Sequence, residues 1–163
     1  MISRAAYRVR QLRRALRPNV TPEDIAAAAE RLGPGLFPLF AGMQPADQRH
    51  CLDVYKTLLA KNETEPHILA AALIHDAGKG GLAAKHIRTW HRVVYVALPG
   101  FVTSWMARFS PGLASLRDHG EKTVRLAREA EAGDFVVKLL EAMETHTSDD
   151  PRIQLLLAAD DAC

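Results

Sequence analysis

Apolar positions recur every three to four residues along most of this chain, and no window alternates polar and apolar over a useful length. That pattern predicts helices throughout. Thr21-Pro22-Glu23-Asp24 reads as a helix start: a capping hydroxyl, a proline in the first turn, then acids near the positive end of the dipole. The helix runs through an alanine-rich stretch to Gly33-Pro34-Gly35, which breaks it, and a short apolar link over 36–40 follows. A second helix opens between 42 and 45 and runs to about 61. Its His50, Val54 and Leu58 share one face at four-residue spacing. Pro66 opens a third, whose run Ile68-Leu69-Ala70-Ala71-Ala72-Leu73-Ile74 has little polar surface and belongs in the core. Residues 83–109 read as two helices broken at Pro99-Gly100, and Pro111-Gly112 reads as a loop. Three more helices are expected near 119–132, 134–146 and 151–161. The predicted fold class is all-α, with no internal repeat and no boundary within 21–163.

Composition narrows the class. A length of 163 residues suits one domain with a real core. With 48% hydrophobic and 25% charged residues, wholesale disorder is excluded. Cys51 and Cys163 form no CxxC pair, which argues against a disulfide framework or a cysteine zinc ribbon. An aromatic content of 6% argues against a β-sandwich or a base-stacking platform.

The net charge of +2 conceals an asymmetry: residues 1–22 hold six arginines and no acid, leaving 15 basic against 19 acidic residues in the remainder. Ile2, Ala5, Val9, Leu12 and Leu16 recur at helical spacing among those arginines, so residues 1–20 are expected to form a basic amphipathic helix ahead of a domain over 21–163. Such a helix can pack on the body, meet an anionic membrane surface or nucleic acid, or serve as a transit peptide. The segment has no apolar h-region or small-residue cleavage site, so it is not expected to be a secretory signal. The uncharged run 93–107 is 15 residues long, short of the roughly 20 a bilayer span needs. It suits a buried or surface-associated helical pair, with membrane contact as the sharper alternative, and it could join copies of the chain into a homo-oligomer. The expected location is cytoplasmic or at the membrane periphery.

The candidate chemistry sits at the end of the apolar third helix. An aspartate is rarely buried without a partner, and a histidine beside it can bind metal through one ring nitrogen. Ala77 and Gly78 permit close backbone approach, and Lys79 brings a cation to the same place, as phosphate chemistry requires.

Arg49-His50, then His75-Asp76-Ala77-Gly78-Lys79, then Ala159-Asp160 resemble the H…HD…D signature of HD-domain metal-dependent phosphohydrolases. The resemblance spans about 47–161 and suits the small stand-alone bacterial members. It implies an HD-domain helical bundle in which His50, His75, Asp76 and Asp160 bind a divalent metal. His119-Gly120-Glu121 resembles the segment supplying a further histidine in the dinuclear branch, with Gly120 where proline is usual, and His146 resembles the next histidine of that branch. The implied set is His50, His75, Asp76, His119, His146 and Asp160, a mixed nitrogen and oxygen donor set for one or two ions of Fe, Mn, Zn, Co or Ni. Asp76 is the expected bridge and Lys79 the expected phosphate contact, making these two the candidate catalytic residues. The implied activity is metal-assisted hydrolysis of a phosphomonoester or phosphodiester, with a nucleotide as the expected substrate. Two alternatives stand beside it: a dinuclear-iron oxygenase on the same ligands, and a non-catalytic regulatory scaffold. No GYP sequence occurs, which makes a cyclic-di-GMP phosphodiesterase of the HD-GYP group a poor match. His91 is expected in a structural role or facing the site entrance, His67 and His86 exposed, and Cys51 in the core.

Overall fold

A computed structural model describes residues 18–81, 83–145 and 148–163, and among these every regular element is a helix. The arginine-rich segment 1–17 and His146 lie outside the described residues.

The first helix, α1 (Pro22–Ala41), begins as its sequence predicts. The Asp24 N–H donates to the Thr21 hydroxyl, and the Thr21 N–H donates back to the Asp24 carboxylate. The expected break is smaller than the Gly-Pro-Gly sequence suggests. Only Gly33 leaves helical geometry, at φ 63°, and the chain resumes helix through Pro34 to Ala41. The link expected over 36–40 is therefore a second helical segment. Pro34 sits in its first turn, where a missing N–H costs nothing, and Phe40 is fully buried.

Helix α2 (Pro45–Ala60) is followed by α3 (Pro66–Ile74), in which every residue from 68 to 74 is buried. A run with no polar face to offer water must be surrounded. Here α1, α2, α8 (Asp134–Thr145) and α9 (Pro151–Ala162) pack around it. A 3-10 turn at Ala77–Lys79 follows α3 and packs against α7 (His119–Glu129).

Between these lie α4 (Thr89–Ala97), α5 (Gly100–Met106) and α6 (Pro111–Arg117), with their own small core of Ile87, Ala107, Leu113 and Leu116. The loop expected at Pro111-Gly112 is instead the start of α6: Ser110 caps it and Pro111 takes its first position. Ion pairs tie the layers. Buried Asp24 receives Arg49 at 3.0 Å and Lys56 at 2.5 Å from α2. Arg92 of α4 grips buried Asp47 of α2 with two nitrogens, at 2.5 and 2.8 Å. Among the described residues no helix is long and apolar enough to cross a membrane.

Candidate metal centre

Three helices end or pass at one place. His50 comes from the middle of α2, His75 from the C-terminus of α3 and Asp160 from the last turn of α9. One ligand atom from each of the three lies within 4.8 Å of the others. His50 Nε2 is 2.8 Å from Asp160 Oδ1, and His75 Nε2 is 3.4 Å from the same oxygen. Asp76, 2% exposed, lies alongside, its Oδ1 3.9 Å from His75 Nε2 and 3.4 Å from His119 Nε2. Its Oδ2 accepts from Lys79 Nζ at 2.7 Å. The structure thus brings His50, His75, Asp76, Lys79, His119 and Asp160 together.

The hydrogen bonds on the far side of two rings decide what the near side can do. His75 Nδ1 is 2.9 Å from the Ala72 carbonyl, and His119 Nδ1 is 2.7 Å from the Leu116 carbonyl. A carbonyl only accepts, so in both rings Nδ1 carries the hydrogen, and a neutral ring then presents a bare lone pair at Nε2. Both lone pairs face carboxylate oxygens. Among the described residues, buried His75 Nε2 has no hydrogen-bond partner. Lone pair against carboxylate is repulsive unless a cation sits between them. A proton is the cation available to the bare chain. Burial opposes charge on His75, but the facing carboxylates of Asp76 and Asp160 outweigh it and hold the imidazole well above its ordinary pKa. Burial likewise opposes charge on Asp76 and Asp160. Lys79 and His75 outweigh it for Asp76, and His75 and His50 for Asp160, so both carboxyls stay well below the usual range.

A divalent metal fits the same place. Ring nitrogens fixed by a backbone carbonyl on the opposite side, with carboxylates converging, form the usual surroundings of a histidine-bound ion. Buried Cys51 sits 3.7 Å from His75 Nδ1, the nitrogen already given to Ala72, and burial pushes its thiol up. It therefore stays a neutral core group, as the sequence suggests.

Other histidines separate cleanly. His67 and His86 are exposed. His91 is buried. Its Nδ1 accepts the Arg88 N–H, its Nε2 lies 3.1 Å from the Ser110 hydroxyl, and its ring abuts Gly112.

One residue the sequence reading passes over holds the site's backbone together. Thr123 Oγ1 accepts the Gly78 N–H at 2.9 Å and lies 3.0 Å from the His75 carbonyl and 2.9 Å from the His119 carbonyl. Its only signal in the sequence is a β-branched hydroxyl one helical turn after His119. Gly78 allows this approach, since a Cβ there would overlap the His119 carbonyl. At Gly120 the Glu144 carboxylate lies where a Cβ would stand.

Comparison of the chain with protein-family models, with curated proteins and with solved structures finds no match.

Proposed function

We propose that this chain is a divalent-metal-dependent phosphohydrolase of the HD-domain type, acting on a small phosphate ester such as a nucleotide. The observation that carries the reading is His75 Nε2: buried, without a hydrogen-bond partner among the described residues, and facing two carboxylates. In the bare chain only a proton can stand between that nitrogen and the carboxylates, whereas a divalent metal ion would serve the nitrogen and the carboxylates together.

His50, His75, Asp76 and Asp160 would hold an ion, with His119 beside Asp76 and His146 as the remaining sequence candidate. When bound, the ion would supply Lewis acidity, lowering the pKa of water and offsetting phosphoryl charge. The chain's own groups do the rest. The Ala72 and Leu116 carbonyls fix the ring orientations. Lys79 stands beside Asp76 as a cation for the substrate's phosphate, and Asp76 and nearby Asp47 keep its ammonium charged, raising its pKa against the opposing effect of burial.

The test uses the full chain purified without chelator. Metal analysis should find about one or two transition-metal ions per chain. A nucleotide panel and a generic phosphodiester with Mn²⁺ or Fe²⁺ should show turnover that Asp76→Ala abolishes. Dioxygen consumption without phosphate release would replace the hydrolase with the oxygenase. Full metal content in both His75→Ala and Asp76→Ala would overturn the site.

A further inference from the structure

Among the described residues seven large hydrophobic side chains are exposed, and six of them fall between positions 90 and 109: Trp90, Val93, Leu98, Phe101, Trp105 and Phe109. Phe101 is 79% exposed, Trp105 61% and Phe109 76%. Folding has not hidden these rings, although α4 to α6 bury a small core of their own on the other side. Their spacing is orderly. Phe101, Trp105 and Phe109 follow at four-residue steps through α5 and the turn after it, with the last two rings 5.5 Å apart edge to face, and Trp90 and Val93, three residues apart, are exposed on α4. Scattered exposed apolar residues are ordinary; six in one short segment are not.

Charge says what covers them. Residues 77–117 contain no aspartate or glutamate in 41 positions, against six lysines and arginines. Lys79, Arg92 and Arg117 pair with Asp76, Asp47 and Asp118, while Lys85, Arg88 and Arg108 are exposed, Arg88 two residues before Trp90 and Arg108 directly before Phe109. A second copy of the same face would set these cations against one another with no acid to pair them. An anionic, apolar-backed surface answers both features. Tryptophan and phenylalanine favour the boundary between headgroup and acyl chain, and lysine and arginine favour anionic headgroups.

We propose that the α4–α5 face is a docking surface for an anionic lipid bilayer, with Trp90, Phe101, Trp105 and Phe109 entering the interface and Lys85, Arg88 and Arg108 meeting lipid phosphates. This rests on the face alone and is independent of the metal site. Docking there is peripheral. It adds lipid contact to a region that Arg92 anchors onto α2 next to the candidate site, so a membrane-bound chain would hold that site at a fixed height above the lipid.

Trp90 and Trp105 are the only two tryptophans in the chain, so intrinsic fluorescence reports on this face directly. The full chain is titrated with vesicles of phosphatidylcholine and phosphatidylglycerol in equal parts, and with phosphatidylcholine alone. Expected are a blue shift, quenching by brominated lipid, and roughly 100-fold weaker binding to the neutral vesicles. The double variant Phe101→Ser/Phe109→Ser keeps both reporters and removes only exposed rings. It should bind the anionic vesicles at least roughly tenfold more weakly with its melting temperature unchanged. The proposal is overturned if vesicles bind with no tryptophan shift, or if the double variant binds as tightly as the parent, which would assign binding to the arginine-rich segment. It is equally overturned if the shift arises without lipid in step with dimer formation, or with an RNA oligonucleotide in place of vesicles.

Discussion

His50 Nε2 lies 2.8 Å from Asp160 Oδ1, although 110 positions separate the two residues along the chain. That oxygen also faces His75 Nε2 at 3.4 Å, so one carboxylate atom gathers imidazoles from α2 and from the end of α3. Helices α2, α3 and α9 must all be in register for this to occur, which makes the cluster a sensitive reporter of the packing around α3.

Removing either end of that pair should cost metal affinity. His50→Ala and Asp160→Ala are each expected to weaken Mn²⁺ or Zn²⁺ binding by at least about tenfold. His67→Ala, at an exposed histidine, should bind as the parent does. Isothermal titration on metal-stripped protein reads this, and equal affinity in all four proteins would remove the pair from the site.

Thr123 supplies a prediction about stability. Thr123→Val keeps the shape but leaves the buried Gly78 N–H without its acceptor, at a cost of roughly 1–3 kcal/mol. Thr123→Ser retains the hydroxyl and should lose much less. Urea unfolding of the three proteins decides it, and equal losses in both variants would show that the methyl group, not the hydroxyl, matters.

Gly78→Ala tests the close approach of the turn to α7. Its new Cβ would overlap the His119 carbonyl, so the turn must move away at a cost of about 1–3 kcal/mol. Because His75 and Asp76 lead into that turn, metal affinity should fall in the variant even at temperatures where it is fully folded. A variant as stable as the parent would mean that the two segments separate freely.

The Asp24 hub gives the pH dependence. Burial raises the pKa of its carboxyl, but Lys56, the Thr21 N–H and Arg49 outweigh this, so its folded pKa lies below the unfolded value near 3.9. A depressed carboxyl stabilises the fold fully above the unfolded pKa and loses that contribution as pH falls through the folded one. Asp24→Asn should therefore be less stable than the parent by a constant amount between about pH 6 and pH 8, with the gap closing below about pH 4. Denaturant unfolding across that range measures the gap. A gap that widens in acid would contradict the sign.

Local rules carried the reading far where the information was local. The Thr21 cap, the prolines that open α1, α2, α3 and α9, and the seven-residue apolar run of α3 each declare themselves within a few residues. Where two local signals conflicted, the text of the chain misled. Gly33-Pro34-Gly35 and Pro111-Gly112 look like loops, yet only Gly33 leaves helical geometry at the first, and the second opens α6. A proline is as good a first-turn residue as it is a breaker, and packing chooses between the two roles.

By itself, then, the sequence determined an all-α fold class, a core helix ending in His75-Asp76, and the candidate site residues. Spacing along a chain constrains neighbours three or four residues away and says nothing certain about residues 25 or 110 apart. Only the tertiary structure decided that His50, His75, Asp76, His119 and Asp160 converge. It also decided that backbone carbonyls fix two of the rings, that Thr123 clamps the turn beneath them, and that the rings of Phe101, Trp105 and Phe109 stay in solvent. Hydrogen-bond direction and exposure are properties of packed neighbours, and those neighbours come from every part of the chain.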